Sequence, residues 1–197
     1  MEDNPYQAPQ ADLSHITVAE GIDLGASGLT EAELRAFVGK NADYYLKRWA
    51  PALRGDGGAG FNLAALLLSG LWLGYRKMYQ NTLILFAIIA AMTILELAGV
   101  LAGLVNPNVV GLLGNIVGLG AAVVCGMYGN AWYLSHAKTV ILEARSRGRD
   151  GGVDLVELSR RGGTSVAKSL GMFFLYLVAV FVISFVISFV AELVVSK

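Results

Sequence analysis

Four long apolar stretches between Phe61 and Val195 constrain this chain more than any other feature. Apolar runs of about 18 or more residues with few charges read as membrane-spanning helices. Only 15% of the residues are charged, against about 25% in an ordinary soluble domain. The stretches are 61–75, 82–104, 109–133 and 170–195. At 1.5 Å per helical residue the first reaches only about 22 Å, short of the roughly 30 Å hydrocarbon layer, while the second reaches about 35 Å. The third and fourth are also long enough to cross. The expected fold class is therefore all-α, an integral membrane helical bundle. Residues 106–108, Asn-Pro-Asn, join the second and third stretches in a tight hairpin.

Charge sets the expected topology. Short loops rich in Lys and Arg stay in the cytoplasm. If all four stretches crossed, the basic N-terminal region and the basic loop 134–169 would fall on opposite sides. If 61–75 is instead re-entrant or interfacial, all fifteen Lys and Arg residues except Lys197 share one side. Three spanning helices plus one half-inserted segment is therefore the expected arrangement, with the N-terminus cytoplasmic and the C-terminus outside. Trp72, Tyr75, Arg76, Lys77 and Tyr79, with Trp132, cluster at the inner boundary, where amphipathic side chains anchor.

Outside the membrane the chain divides by composition. Residues 1–28 are polar and aperiodic, and read as a disordered cytoplasmic arm. No cleavable signal peptide is expected, because the start MEDNPYQAPQ is acidic and polar. Residues 29–60 read as an amphipathic helix and a Gly-rich hinge. Thr30 followed by Glu33 forms a capping box. Leu34, Phe37, Val38, Tyr45, Trp49 and Leu53 then recur at helical spacing, with Arg35, Lys40, Lys47 and Arg48 between them. Such a helix lies either on an anionic membrane surface or on the protein's own inner face. Past Tyr133 the third membrane helix runs on to Gly148, and a short amphipathic helix, VDLVELSRR, follows between glycine pairs.

Two features inside the membrane suggest specific contacts. Gly114, Gly118, Ala122, Gly126 and Asn130 repeat every four residues and make a helix-packing stripe, suited to the hairpin or to a second copy. Glu96 is the only ionisable residue well inside a span. Asn115 lies at a similar depth across the hairpin, and Ser188 can reach the same layer. The expectation is an intramembrane polar cluster of Glu96, Asn115 and Ser188.

Apparent catalytic motifs lack their contexts. Gly55, Gly57 and Gly60 match the dinucleotide-binding spacing without a preceding strand. Gly162 through Lys168-Ser169 resembles a phosphate loop, with Ala167 where a glycine belongs. His15 and His136 are too far apart to suggest a metal site. The lone Cys125 is expected to be a packing residue. No catalytic residues, cofactor or metal are expected.

The block Phe61-Asn62-Leu63-Ala64-Ala65, then Leu71-Trp72-Leu73-Gly74-Tyr75-Arg76-Lys77-Met78-Tyr79, and the later Tyr128-Gly129-Asn130-Ala131-Trp132-Tyr133 followed by His136 and Lys138, resemble a family of small bacterial inner-membrane proteins catalogued only as a domain of unknown function. The resemblance covers roughly residues 35–145. It implies a multi-span fold in the bacterial inner membrane and supplies no activity.

Two functional readings follow. The first is a non-enzymatic scaffold or accessory subunit that binds protein or lipid. The alternative is a small transport or channel subunit with Glu96 as an ion or proton site. Expected partners are the lipid bilayer and a protein partner or second copy, with no nucleic acid, since the net charge is zero.

Overall fold

The computed structural model describes residues 24–148 and 153–195, and every regular element among them is helical. The arm expectation for residues 1–23 therefore lies outside the described residues. The end of that arm is folded: a 3-10 turn at Gly25–Ser27 packs on the second helix.

Helix α1, Glu31–Val38, opens with the capping box. The Glu33 N–H donates to the Thr30 hydroxyl, and the Thr30 N–H donates to the Glu33 carboxylate at 2.8 Å. The amphipathic helix expected from Thr30 onward is in fact two helices. Gly39 adopts φ 73°, a conformation inexpensive only for glycine, and a 3-10 turn at Gly39–Asn41 precedes α2, Ala42–Arg54. The break turns α2 so that both apolar faces meet one core. Leu34, Phe37, Val38, Tyr45, Leu46, Trp49 and Leu53 are all 5% exposed or less. These apolar faces pack on the protein itself.

The half-inserted segment forms two short helices, α3, Leu63–Leu68, and α4, Gly70–Tyr75. Asn62 caps α3 by accepting from the Ala65 N–H at 2.9 Å. The two meet at Ser69, whose φ of 41° and ψ of −113° bend the chain sharply. Each helix is about 9 Å long, so neither crosses a bilayer.

Three helices are long and apolar enough to cross a membrane. Helix α5, Tyr79–Leu101, turns through residues 102–106 into α6, Pro107–Arg147. At 41 residues, α6 is about 60 Å long and continues well beyond the apolar layer. Asp154 caps α7, Leu155–Arg161, by accepting from the Val156 N–H at 2.8 Å. Helix α8, Val166–Val195, is the third membrane helix.

The buried core lies to one side of the membrane helices rather than between them. It joins α1, α2, α3, α4 and α7 to the inner part of α6 from Cys125 to Ile141. We call this unit the head. The membrane helices contribute little else to the core. Leu95, Ile116, Leu119, Phe174, Phe181 and Phe185 are all exposed. That surface suits lipid, because lipid tails solvate leucine as well as another leucine does.

Close backbone approaches fix the head. Among these, Gly162 lies so near α1 that an added Cβ would overlap the Phe37 carbonyl oxygen, and the Gly163 N–H donates to that oxygen at 2.7 Å. These two residues tie α7 to α1.

Candidate functional site

The most unusual chemistry in the molecule is at Arg76, which follows the last residue of α4 and is only 3% exposed. Its guanidinium carbon lies 4.5 Å from the ring centre of Tyr45, 5.1 Å from that of Tyr133 and 5.5 Å from that of Tyr75. Its Nη2 donates to the Tyr45 hydroxyl at 2.9 Å. Among the described residues no carboxylate is within ion-pair distance of it, and its Nε has no hydrogen-bond partner. Three aromatic faces attract a cation, each by about 0.5–2 kcal/mol. They do not supply the missing acceptor. Burial raises the Tyr45 pKa, and the neighbouring guanidinium opposes that rise in part.

Two cavities open onto Arg76. The larger, about 430 Å³, is lined by Asn41, Tyr44, Tyr45, Trp72, Tyr75 and Arg76 on its head side, and by Asn62, Leu63, Ala64 and Leu68 around α3. The smaller, about 120 Å³, lies between Lys40, Asn41, Tyr75, Arg76 and the turn at Gly163 and Thr164. No carboxylate lines either one. Nearby, the Lys77 Nζ donates to the Arg160 carbonyl at 2.8 Å, and Lys168 lies over the Tyr79 ring. Burial, helped by the ammonium of Lys168, holds the Lys77 pKa below its ordinary value.

A second polar centre holds the head together. Asn130 is fully buried on α6. Its Nδ2 donates to the Ala59 and Gly60 carbonyls at 3.2 Å, and its Oδ1 accepts from Asn62 at 2.7 Å. Its backbone carbonyl accepts from the Trp49 indole at 3.0 Å. One residue thus joins α2, the Gly-rich hinge and the start of α3. Further along α6, Arg145 makes a two-pronged pair with Glu33, at 2.8 Å and 2.6 Å. Burial pushes the Glu33 pKa up. The bonds from Arg145 and Thr30 outweigh that and hold it below the ordinary value.

The sequence-derived anchors divide in two. Trp72 and Arg76 are core residues, 3% exposed, rather than side chains laid on the surface. The helical break at Ser69 turns them inward onto Tyr133. Tyr75, Lys77, Tyr79 and Trp132 are half-buried, and Trp132 stacks on Tyr128. The packing stripe divides likewise. A Cβ on Gly126 would lie 2.9 Å from the Phe61 ring, and one on Gly129, beside the stripe, 2.8 Å from Ala65. Around Gly118 nothing lies within 4 Å, and Gly114 meets only Glu96 at 3.7 Å. Ala122 is half-buried between these regions. The stripe is therefore a tight seat for α3 at its inner end and open at its outer end. Glu96 is half-buried and turned toward α6, whereas Asn115 and Ser188 are exposed. Among the described residues no hydrogen bond joins the three. Cys125 is buried in the core.

The nucleotide-like glycine patterns take structural places. Gly55–Gly60 forms the turn between α2 and α3. Ser169 of the second pattern donates to the Leu71 carbonyl at 2.6 Å, which locks α8 to α4.

A helical head on three membrane-crossing helices, with no strand among the described residues, makes this an integral membrane helical-bundle protein. A family model described as protein of unknown function (DUF2628) matches residues 31–138, and the chain belongs to that family. The match begins at α1 and ends within the head part of α6, so it takes in both Arg76 and Asn130. No curated protein and no solved structure matches the chain.

Proposed function

We propose that this chain is a non-enzymatic scaffold or accessory subunit of the bacterial inner membrane, with its head in the cytoplasm, acting by protein or lipid binding. The observation that carries this reading is the uneven packing. Burial is concentrated in a rigid head whose helices present charged residues outward, while the membrane helices are thinly packed. Such an arrangement holds a surface at a fixed distance from a bilayer. The orientation is supported by charge: every Lys and Arg among the described residues lies in the head or at the head-side ends of the membrane helices.

The test is purification of the full chain from its own membranes in mild detergent. A stoichiometric protein partner, lost on charge reversal of the exposed face of α2, is the expected result. A chain that purifies alone and carries a measurable flux when reconstituted would overturn the scaffold reading.

One observation favours the second reading, a small transport or channel subunit. Glu96 is half-buried and faces Gly114 across the α5–α6 hairpin. A carboxylate at that depth is costly unless it serves packing or ion passage. Glu96→Gln keeps a hydrogen-bonding side chain of the same size and removes the acid. If the transport reading holds, this variant abolishes flux with the fold intact. If Glu96 is structural, only Glu96→Leu has an effect.

A further inference from the structure

Arg76 is a buried cation facing two cavities, with no acid among the described residues within ion-pair distance. A buried charge left alone is strongly destabilising, so its retention calls for an explanation beyond the tyrosine faces. The other charged residue lining these cavities and the one next in the chain are both positive. Lys40 lines the smaller cavity, and Lys77 lies next in the chain. The acids of the region are engaged elsewhere: Asp43 pairs with Arg35, and Glu33 with Arg145. The remaining polar groups on the larger cavity, the hydroxyls of Tyr44 and Tyr75 and the amide of Asn41, can donate to an anion.

The position of the cavity narrows the anion. Arg76 is three residues before Tyr79, where α5 begins, and six before Thr82, where the apolar stretch of that helix begins, so it lies just outside the apolar layer. That is the depth of lipid phosphates. The opposite wall of the cavity is α3, where Leu63 and Leu68 are 59% and 52% exposed. A soluble anion has no use for that wall, whereas an acyl chain does.

We propose that the Arg76 cavity binds the phosphate of an anionic phospholipid, with the acyl chains leaving over the apolar side of α3. The phosphate accepts from Arg76 and from the tyrosine and asparagine donors, while the aromatic faces hold the guanidinium in place when the site is empty. The site does not depend on the scaffold reading, because a lipid can occupy it whether or not the head binds a protein.

The experiment is native mass spectrometry of the full chain released from detergent, with phosphatidylglycerol or phosphatidylcholine as probe. The wild type is expected to retain phosphatidylglycerol about tenfold better, because both lipids offer a phosphate but the choline ammonium of the second is repelled by Lys40 and Lys77. Arg76→Met removes the cation, and Ala64→Trp fills the cavity mouth while leaving Arg76 in place. Both should lose the preference, with folding monitored by circular dichroism. If Arg76→Met does not fold, Ala64→Trp decides. Equal retention of the two lipids by the wild type, or an undiminished preference in Ala64→Trp, overturns the proposal. Displacement of phosphatidylglycerol by millimolar inorganic phosphate also overturns it, since the site then belongs to a soluble phosphate.

Discussion

At the scale of single residues, the head depends on a few buried polar groups that have no substitutes. Asn130 is the clearest. Asn130→Leu leaves the Asn62 amide and the hinge carbonyls without their partner in a dry core, and each orphaned group costs about 1–3 kcal/mol. Loss of roughly 3 kcal/mol or more is expected in denaturant melts of the detergent-solubilised protein. The Glu33–Arg145 pair adds a pH dependence. Because the Glu33 pKa is lowered in the fold, its contribution is complete above the ordinary carboxylate range and is lost as the pH falls through the folded value. Glu33→Gln should therefore cost stability at pH 7, by about 2 kcal/mol, and progressively less as the pH is lowered below the ordinary carboxylate range. A cost that does not change with pH would sink that assignment. These roles are only half legible in the sequence. The capping box marks Glu33 at once, but nothing local says that Arg145, over a hundred residues on, reaches it. Arg76 reads as an interface anchor because a basic residue in an aromatic block at a span edge usually is one. Only the bend at Ser69 turns it inward.

At the scale of elements, the periodicity of the chain reads well and its breaks read poorly. The three membrane helices, the extension of α6 and the cap of α1 all follow from apolar run length and capping residues. The division of α1 from α2 at Gly39 and of α3 from α4 at Ser69 does not, because the apolar spacing continues across both. Ser69 adopts a left-handed φ that ordinary residues enter at a cost of about 1–3 kcal/mol. Ser69→Gly should therefore raise the melting temperature and Ser69→Val should lower it. A Ser69→Gly variant less stable than the wild type would mean that the Ser69 hydroxyl, which donates to the Leu66 carbonyl at 3.4 Å, outweighs the backbone. The small-residue stripe makes a sharper contrast. Gly129→Leu drives a side chain into Ala65 and Trp72 and should unseat α3, whereas Gly118→Ile meets open space within one chain. A Gly118→Ile variant that stays folded but loses self-association in crosslinking would give the outer half of the stripe to a second copy.

At the scale of the whole molecule, topology is the first thing to measure. Reporters fused at the N-terminus and near Arg149 are expected to read as cytoplasmic, and one fused after Lys197 as extracytoplasmic. A cytoplasmic reading at Lys197 would remove the three-span arrangement and with it the charge argument. The charge pattern is visible in the sequence from the outset. The location of the core is not, because the longest apolar runs are the least buried part of the molecule and the shorter amphipathic segments hold its interior. Hydropathy ranks segments by how well they suit lipid, and that is a different property from how tightly they pack.

The unbroken length of α6 couples these parts mechanically. Its outer portion lies among lipid, and its inner portion is the beam on which α1, α2, α3 and α7 are mounted. A stiff rod of about 60 Å that tilts by roughly 10° about its middle carries its end sideways by about 5 Å. Helices tilt in response to bilayer thickness. A thinner bilayer would therefore swing the head as one body, and the chain would act as a lever that turns membrane thickness into the position of the head.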